Sequence, residues 1–167
     1  MILTKKEILK AVKTKEIKIE PFNPKNVGSG SVDLTLDNQF RIFNNAGIIE
    51  LDENIDYKKY ARLVTREKII LKPGEMILGI TKEKITLPGN MCGWLQGRTR
   101  FARLGLNVHI TASFVQPGSE NKQVLEIINM NKIPMEIKAG TKICQIVFER
   151  AAGSSKEKSK YTYNQKL

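Results

Sequence analysis

A chain of 167 residues with 41% apolar content and a formal net charge of +11 is long enough for one domain with a real hydrophobic core. No apolar run approaches the roughly 18 residues that a membrane-spanning helix needs, so a membrane partner is not expected. The positive charge suits anionic partners. Its lysines are dispersed, however, and its few aromatics are not interleaved with them as stacking platforms for single strands would be, which argues against nucleic acid.

Residues 4 to 13 read as a short helix, with Thr4 as N-cap, Glu7 completing a capping box, and Ile8, Leu9 and Val12 as the apolar stripe. Short stretches rich in Ile, Val, Leu, Phe and Thr follow. The spacing predicts strands over 17–19, 31–36, 39–43, 69–71, 76–81, 92–96, 106–111, 123–129, 134–138 and 143–149. Turn signals such as Pro73-Gly74, Pro117-Gly118 and Ala139-Gly140 punctuate them. Many short strands with a turn every eight to twelve residues indicate an all-β sandwich or barrel. Residues 52 to 66 are polar and read as loop or one helical turn. Residues 1–150 form the expected single domain, and the lysine-rich stretch 151–167 reads as a tail or arm. The first twenty residues hold no apolar signal segment, so the cytoplasm is the expected compartment. Cys92 and Cys144 lie far apart in apolar segments and read as buried free thiols.

Some chemistries are ruled out by residue supply. A zinc deaminase needs a His/Cys/Cys or Cys₃ site with a nearby Glu; one histidine and two widely separated cysteines do not provide it, so no zinc is expected. A Ser-His-Asp triad would have to use His109, which sits in an apolar alternating run and reads as a packing residue. There is no P-loop and no dinucleotide fingerprint.

The segment from 97 to 126 carries a positive signal. Arg98, Arg100 and Arg103 fall within six positions, and clustered guanidinium forks bind phosphate oxygens bidentately. Downstream, Glu126 interrupts the apolar run Val124-Leu-Glu-Ile-Ile. A carboxylate there is partly or fully buried, which costs several kcal/mol unless a cation or hydrogen bonds compensate. Phosphate ligands and a buried carboxylate in one short segment point to an enzyme acting on a nucleotide. On local sequence alone, a salt-bridged strand residue is an equal reading of Glu126.

Taken in order, Ser31-Val-Asp-Leu-Thr-Leu, Gly97-Arg-Thr-Arg-Phe-Ala-Arg-Leu-Gly-Leu, Val108-His-Ile-Thr-Ala, Gln116-Pro-Gly, Val124-Leu-Glu-Ile and Ile143-Cys-Gln-Ile-Val-Phe resemble the dCTP deaminase/dUTPase family. The resemblance implies a distorted β-barrel with a short N-terminal helix, assembled as a homotrimer with active sites between subunits. The ligand it implies is dCTP or dUTP, bound as a magnesium complex of the triphosphate. It places Glu126 as the general base and the Thr99 hydroxyl and Ala112 carbonyl at the attacking water. Arg103 then orients the base and holds Glu126 ionised, and Arg98 contacts phosphate. Asp33 matches the aspartate of the first family motif. Lys160, Tyr161 and Gln165 resemble the C-terminal lid, so the tail is expected to close the site.

Two positions depart from the family pattern. Arg100 replaces a small hydroxyl residue that contacts phosphate. Gln116 replaces an aspartate that, in dUTP-hydrolysing members, meets the sugar 3′-hydroxyl and helps position the water attacking the α-phosphate. An amide hydrogen-bonds a hydroxyl but accepts no proton, so the expected reaction is metal-independent deamination of dCTP to dUTP and ammonia. The alternatives are a dUTP diphosphatase, alone or combined with deamination, and a nucleotide-binding protein without turnover.

Overall fold

The computed structural model describes residues 1–44, 47–156 and 167. A helix, α1 (Lys5–Lys13), precedes strands β1 (Lys18–Glu20), β2 (Val32–Phe43), β3 (Ala61–Thr65), β4 (Lys68–Leu71), β5 (Met76–Thr86) and β6 (Met91–Gly97). A one-turn helix, α2 (Thr99–Ala102), comes next. Then follow β7 (Leu106–Val108), β8 (Phe114–Val115), β9 (Glu120–Asn129), β10 (Met135–Lys138) and β11 (Lys142–Arg150). The strand pairings are antiparallel. One curled sheet runs β7-β9-β5-β2-β11-β6-β8, with β1 added on β5 and β3 on β2, while β10 and β4 form a separate pair. The all-β expectation holds.

Alternation explains why β9 serves both core and site. Along Glu120–Asn129 every second residue is buried, from Asn121 to Asn129, and the residues between them are half-buried. Leu125 and Ile127 enter a core with Leu34, Leu36, Phe40, Ile77 and Phe148, while Glu126 falls on the opposite face. Crowding at the centre is managed by Gly79 on β5. A Cβ there would lie 2.9 Å from Leu36 Cδ1 and 3.0 Å from Ile127 Cδ1, so any other residue would have to push those side-chain ends aside.

Several boundaries differ from the sequence expectation for identifiable reasons. The segments 31–36 and 39–43 are one strand, with a register irregularity between Leu36 and Phe40 that absorbs the polar Asp37-Asn38 pair. The strand expected over 106–111 stops at Val108, because His109 takes φ +72°, a left-handed conformation that histidine tolerates better than most residues. Thr4 occupies the N-cap position but its side chain makes no capping bond. The helix is held instead by burial of Ile8 and Ala11, with Leu9 and Val12 packed against the core. Within 52–66 lie a 3₁₀ turn over Tyr57–Lys59 and the strand β3. Both cysteines are free and buried, and burial pushes both thiols up from their ordinary values.

Candidate active site

A cavity of about 660 Å³ opens beside β9, within the size range of small-ligand pockets. Its walls include Glu126 and Val124 from β9 and the segment from Thr111 to Gln116. His109, and Phe43 and Tyr57 from across the opening, complete the part that matters for chemistry. Ala112, Gln116 and Glu126 therefore share one pocket.

Glu126 is held by residues the sequence reading treated as packing. His109 Nδ1 lies 2.7 Å from Glu126 Oε2, and the His109 backbone N–H donates to the Glu126 carbonyl at 3.0 Å. The register is the cause: Val108 pairs with Ile127, which sets residue 109 opposite residue 126 on the pocket face. The imidazole is 5% exposed and the carboxylate 27%. Burial alone would raise the pKa of Glu126. The His109 hydrogen bond and charge outweigh it, together with the backbone N–H groups of Ile110 and Glu126, and hold the carboxyl below its ordinary range. Arg103 is exposed and is not among the groups that set this ionisation. Within this chain the side chain that meets the Glu126 carboxylate is His109, not Arg103.

The arginine strip lies elsewhere. Thr99, Arg100 and Arg103 sit on and just after α2, exposed, and none of them lines the cavity. α2 instead borders a second, more apolar hollow of about 340 Å³ lined by Phe101, Leu104 and Met135. Arg98 is tied down: Nη2 meets Asp33 Oδ2 at 3.1 Å and Nη1 donates to the Lys142 carbonyl at 3.0 Å. The structure thus brings together Asp33 with Arg98, and Glu126 with Ala112 and Gln116, but not the two groups with each other. Lys160, Tyr161 and Gln165 lie outside the described residues.

Sequence reasoning missed three contributors besides the His109 contact. Trp94 and Phe114 stack at 4.8 Å between centroids on the pocket rim. Arg41 donates to the Ala61 carbonyl at 2.8 Å and to the Leu167 carbonyl at 3.0 Å. Leu167 itself is buried against Leu78 and Ile80, with Phe43 and Val124 alongside, so it meets three residues of the pocket wall. Arg41 and Leu167 are far apart in sequence, and no spacing rule joins them. Among the described residues no cluster of three or more His, Cys, Asp or Glu side chains is placed to hold a metal.

The chain and its curled antiparallel sheet are similar to known proteins. The family model for dCTP deaminase-like proteins matches residues 2–151, and the chain belongs to that family. A dCTP deaminase of Marinomonas sp. is 41% identical over 167 residues, covering 93% of this chain and 86% of the relative. A dUMP-forming dCTP deaminase of Corynebacterium glutamicum is 34% identical, covering 96% and 90%. The crystal structure of 2′-deoxycytidine 5′-triphosphate deaminase from Agrobacterium tumefaciens superposes with a TM-score of 0.71 at 19% identity over 90% of this chain. The chain spans about half the length of that structure, 48%, and at that identity the likeness speaks for the fold.

Proposed function

We propose that this protein deaminates dCTP hydrolytically, releasing dUTP and ammonia. The observation that carries the reading is the ionised Glu126 on the wall of a nucleotide-sized cavity, beside Ala112 and Gln116. Water adds to C4 of the cytosine ring as Glu126 accepts its proton. Glu126 passes that proton to N3, then takes the proton of the new C4 hydroxyl and delivers it to the amine, so that C4=O forms as the C4–N bond breaks and ammonia leaves. The group acts twice as base and twice as acid. The Thr99 hydroxyl and the Ala112 carbonyl hold the water, Arg103 orients the ring, and Arg98 and Arg100 meet the phosphates. Gln116 receives the sugar, and Lys160, Tyr161 and Gln165 close over the triphosphate.

This assignment requires a second copy of the chain, because α2 and its arginines do not line the cavity that holds Glu126. A homotrimer with each site built between neighbours supplies them. Exposed Leu104, Ile110, Met130 and Ile133 give an apolar surface suited to such association. Among the described residues Glu126 is the one acidic side chain on the cavity wall, and it is bonded to His109. The wall therefore suits no oxygen cage for magnesium, and the ion is carried by the triphosphate.

A second reading has its own support: the Corynebacterium relative is named as dUMP-forming. Gln116 supports deamination over it, since a neutral amide cannot take the proton of a water attacking the α-phosphate. Incubation with dCTP and dUTP separately, with ammonia and diphosphate measured in each, tests both readings. Ammonia from dCTP without diphosphate from either nucleotide is expected. Diphosphate from dUTP without ammonia from dCTP would reverse the assignment.

A further inference from the structure

We propose that His109 is the positioning residue of the general base: it clamps Glu126 at two points and fixes the direction in which the carboxylate meets water. The inference rests on the deaminase reading above and goes beyond it. One residue donates twice to another, His109 N–H to the Glu126 carbonyl at 3.0 Å and Nδ1 to Oε2 at 2.7 Å. An ionised carboxylate only accepts, so Nδ1 carries the hydrogen. The left-handed backbone at φ +72° ends β7 and folds the ring back over β9 instead of letting it continue along the strand.

Acceptor arithmetic shows what the clamp leaves. A carboxylate offers about four lone-pair positions. The His109 ring takes one of them on Oε2 at 2.7 Å, and because the carboxylate also lines the cavity it keeps acceptor capacity for a water on that side. The groups facing Glu126 are His109 and Ile110 after β7, Leu78 directly across on β5, and Tyr57 and Gln116 on the cavity wall. Of these, His109 and Tyr57 carry ionisable side chains. A ring serving only to fill space would have no need of the short Nδ1 contact.

The test compares His109→Ala, His109→Asn and His109→Gln in the full-length protein. Asparagine tolerates positive φ and carries an N–H donor near the position of Nδ1; glutamine carries its donor one methylene further out. For His109→Ala, kcat for ammonia release falls about 10- to 100-fold, as loss of alignment by about 1 Å predicts, while KM for dCTP stays within about twofold. The acidic limb of the rate profile moves to higher pH, because a bond that favoured the ionised carboxyl is gone. His109→Asn restores most of kcat and returns the limb, and His109→Gln does not. If His109→Ala keeps both kcat and the limb within experimental error, or Asn and Gln behave alike with wild-type Tm, the clamp is overturned. Should Ala not fold, the Asn–Gln contrast alone decides. Carboxyl ¹³C titration of Glu126 in the same variants reads the clamp without turnover, so wild-type protein that released no ammonia would refute the deaminase reading and leave this one to be judged by NMR.

Discussion

Replacing Glu126 by glutamine keeps the side chain's shape and removes its ability to accept a proton, so Glu126→Gln separates chemistry from binding. Ammonia release is expected to fall by at least about 10²-fold, the usual worth of a general base, with dCTP affinity by calorimetry little changed. Near-normal turnover would remove Glu126 from the mechanism. Its ionisation makes a second prediction. Burial is the largest single influence and raises its pKa, yet the His109 bond, the His109 charge and two backbone N–H groups bring the net value below the ordinary 4.5. The folded value is depressed, so the stability contributed by the pair is complete above about pH 4.5 and lost as pH falls through the folded value. A bound pyrimidine displaces water from the cavity and adds to the burial that raises it. The acidic limb of kcat, which reports the complex, is therefore expected at higher pH than that of kcat/KM, which reports the free enzyme. Coincident limbs would show that substrate does not desolvate the carboxyl.

At the scale of elements, β9 is the member on which core and site both depend, and its end is secured by Asn129. This residue is fully buried. Its Nδ2 donates to the Leu71 carbonyl at 3.0 Å and the Ile133 carbonyl at 2.9 Å, and its Oδ1 accepts from Asn131 N–H at 2.9 Å. One amide thus joins the end of β4, the turn after β9 and β9 itself. Asn129→Leu takes the partner from three backbone groups, of which the Leu71 carbonyl is in a buried bond and carries the full cost of about 1–3 kcal/mol, while the two part-buried groups recover part of theirs from water. A loss of about 2–4 kcal/mol in urea unfolding is expected, with the pocket residues unmoved in kcat for whatever fraction remains folded. An unchanged urea midpoint would mean that water replaces the amide. The element scale also shows why Thr4, which does stand at the N-cap, makes no side-chain capping bond. The capping-box pattern is local, but α1 is fixed by Ile8 and Ala11 in the core, and tertiary burial outweighs a cap worth about 1 kcal/mol.

At the scale of the whole molecule, the two halves of the proposed site lie on different parts of one chain. The cavity holds Glu126, His109, Ala112 and Gln116, and α2 carries Thr99, Arg100 and Arg103 away from it. Mixing inactive Glu126→Gln with inactive Arg103→Ala, after unfolding and refolding together, is expected to recover part of the ammonia-releasing activity, because some assemblies pair an intact pocket with an intact arginine strip. No recovery, with mixed assemblies demonstrated by mass, would place both residues in one subunit. The tail belongs to this scale as well. Leu167 rests against Leu78 and Val124, two residues of the cavity wall.

The sequence by itself determined the all-β class, the burial of both cysteines, and the choice of Glu126 as the carboxylate worth attention. Each of these follows from local pattern: strand alternation, turn residues, and a charge inside an apolar run. It could also be matched to its family, because the motifs stand in order along the chain. What only the tertiary structure decided is partnership. That His109 faces Glu126 follows from Val108 meeting Ile127, a register set by which strands become neighbours and by the backbone turning at φ +72°. Pairing between segments seventeen residues apart is fixed by burial of the core face of both strands, which no local pattern encodes. The same holds for Arg98 on Asp33, an ion pair between two motifs that stand far apart along the chain.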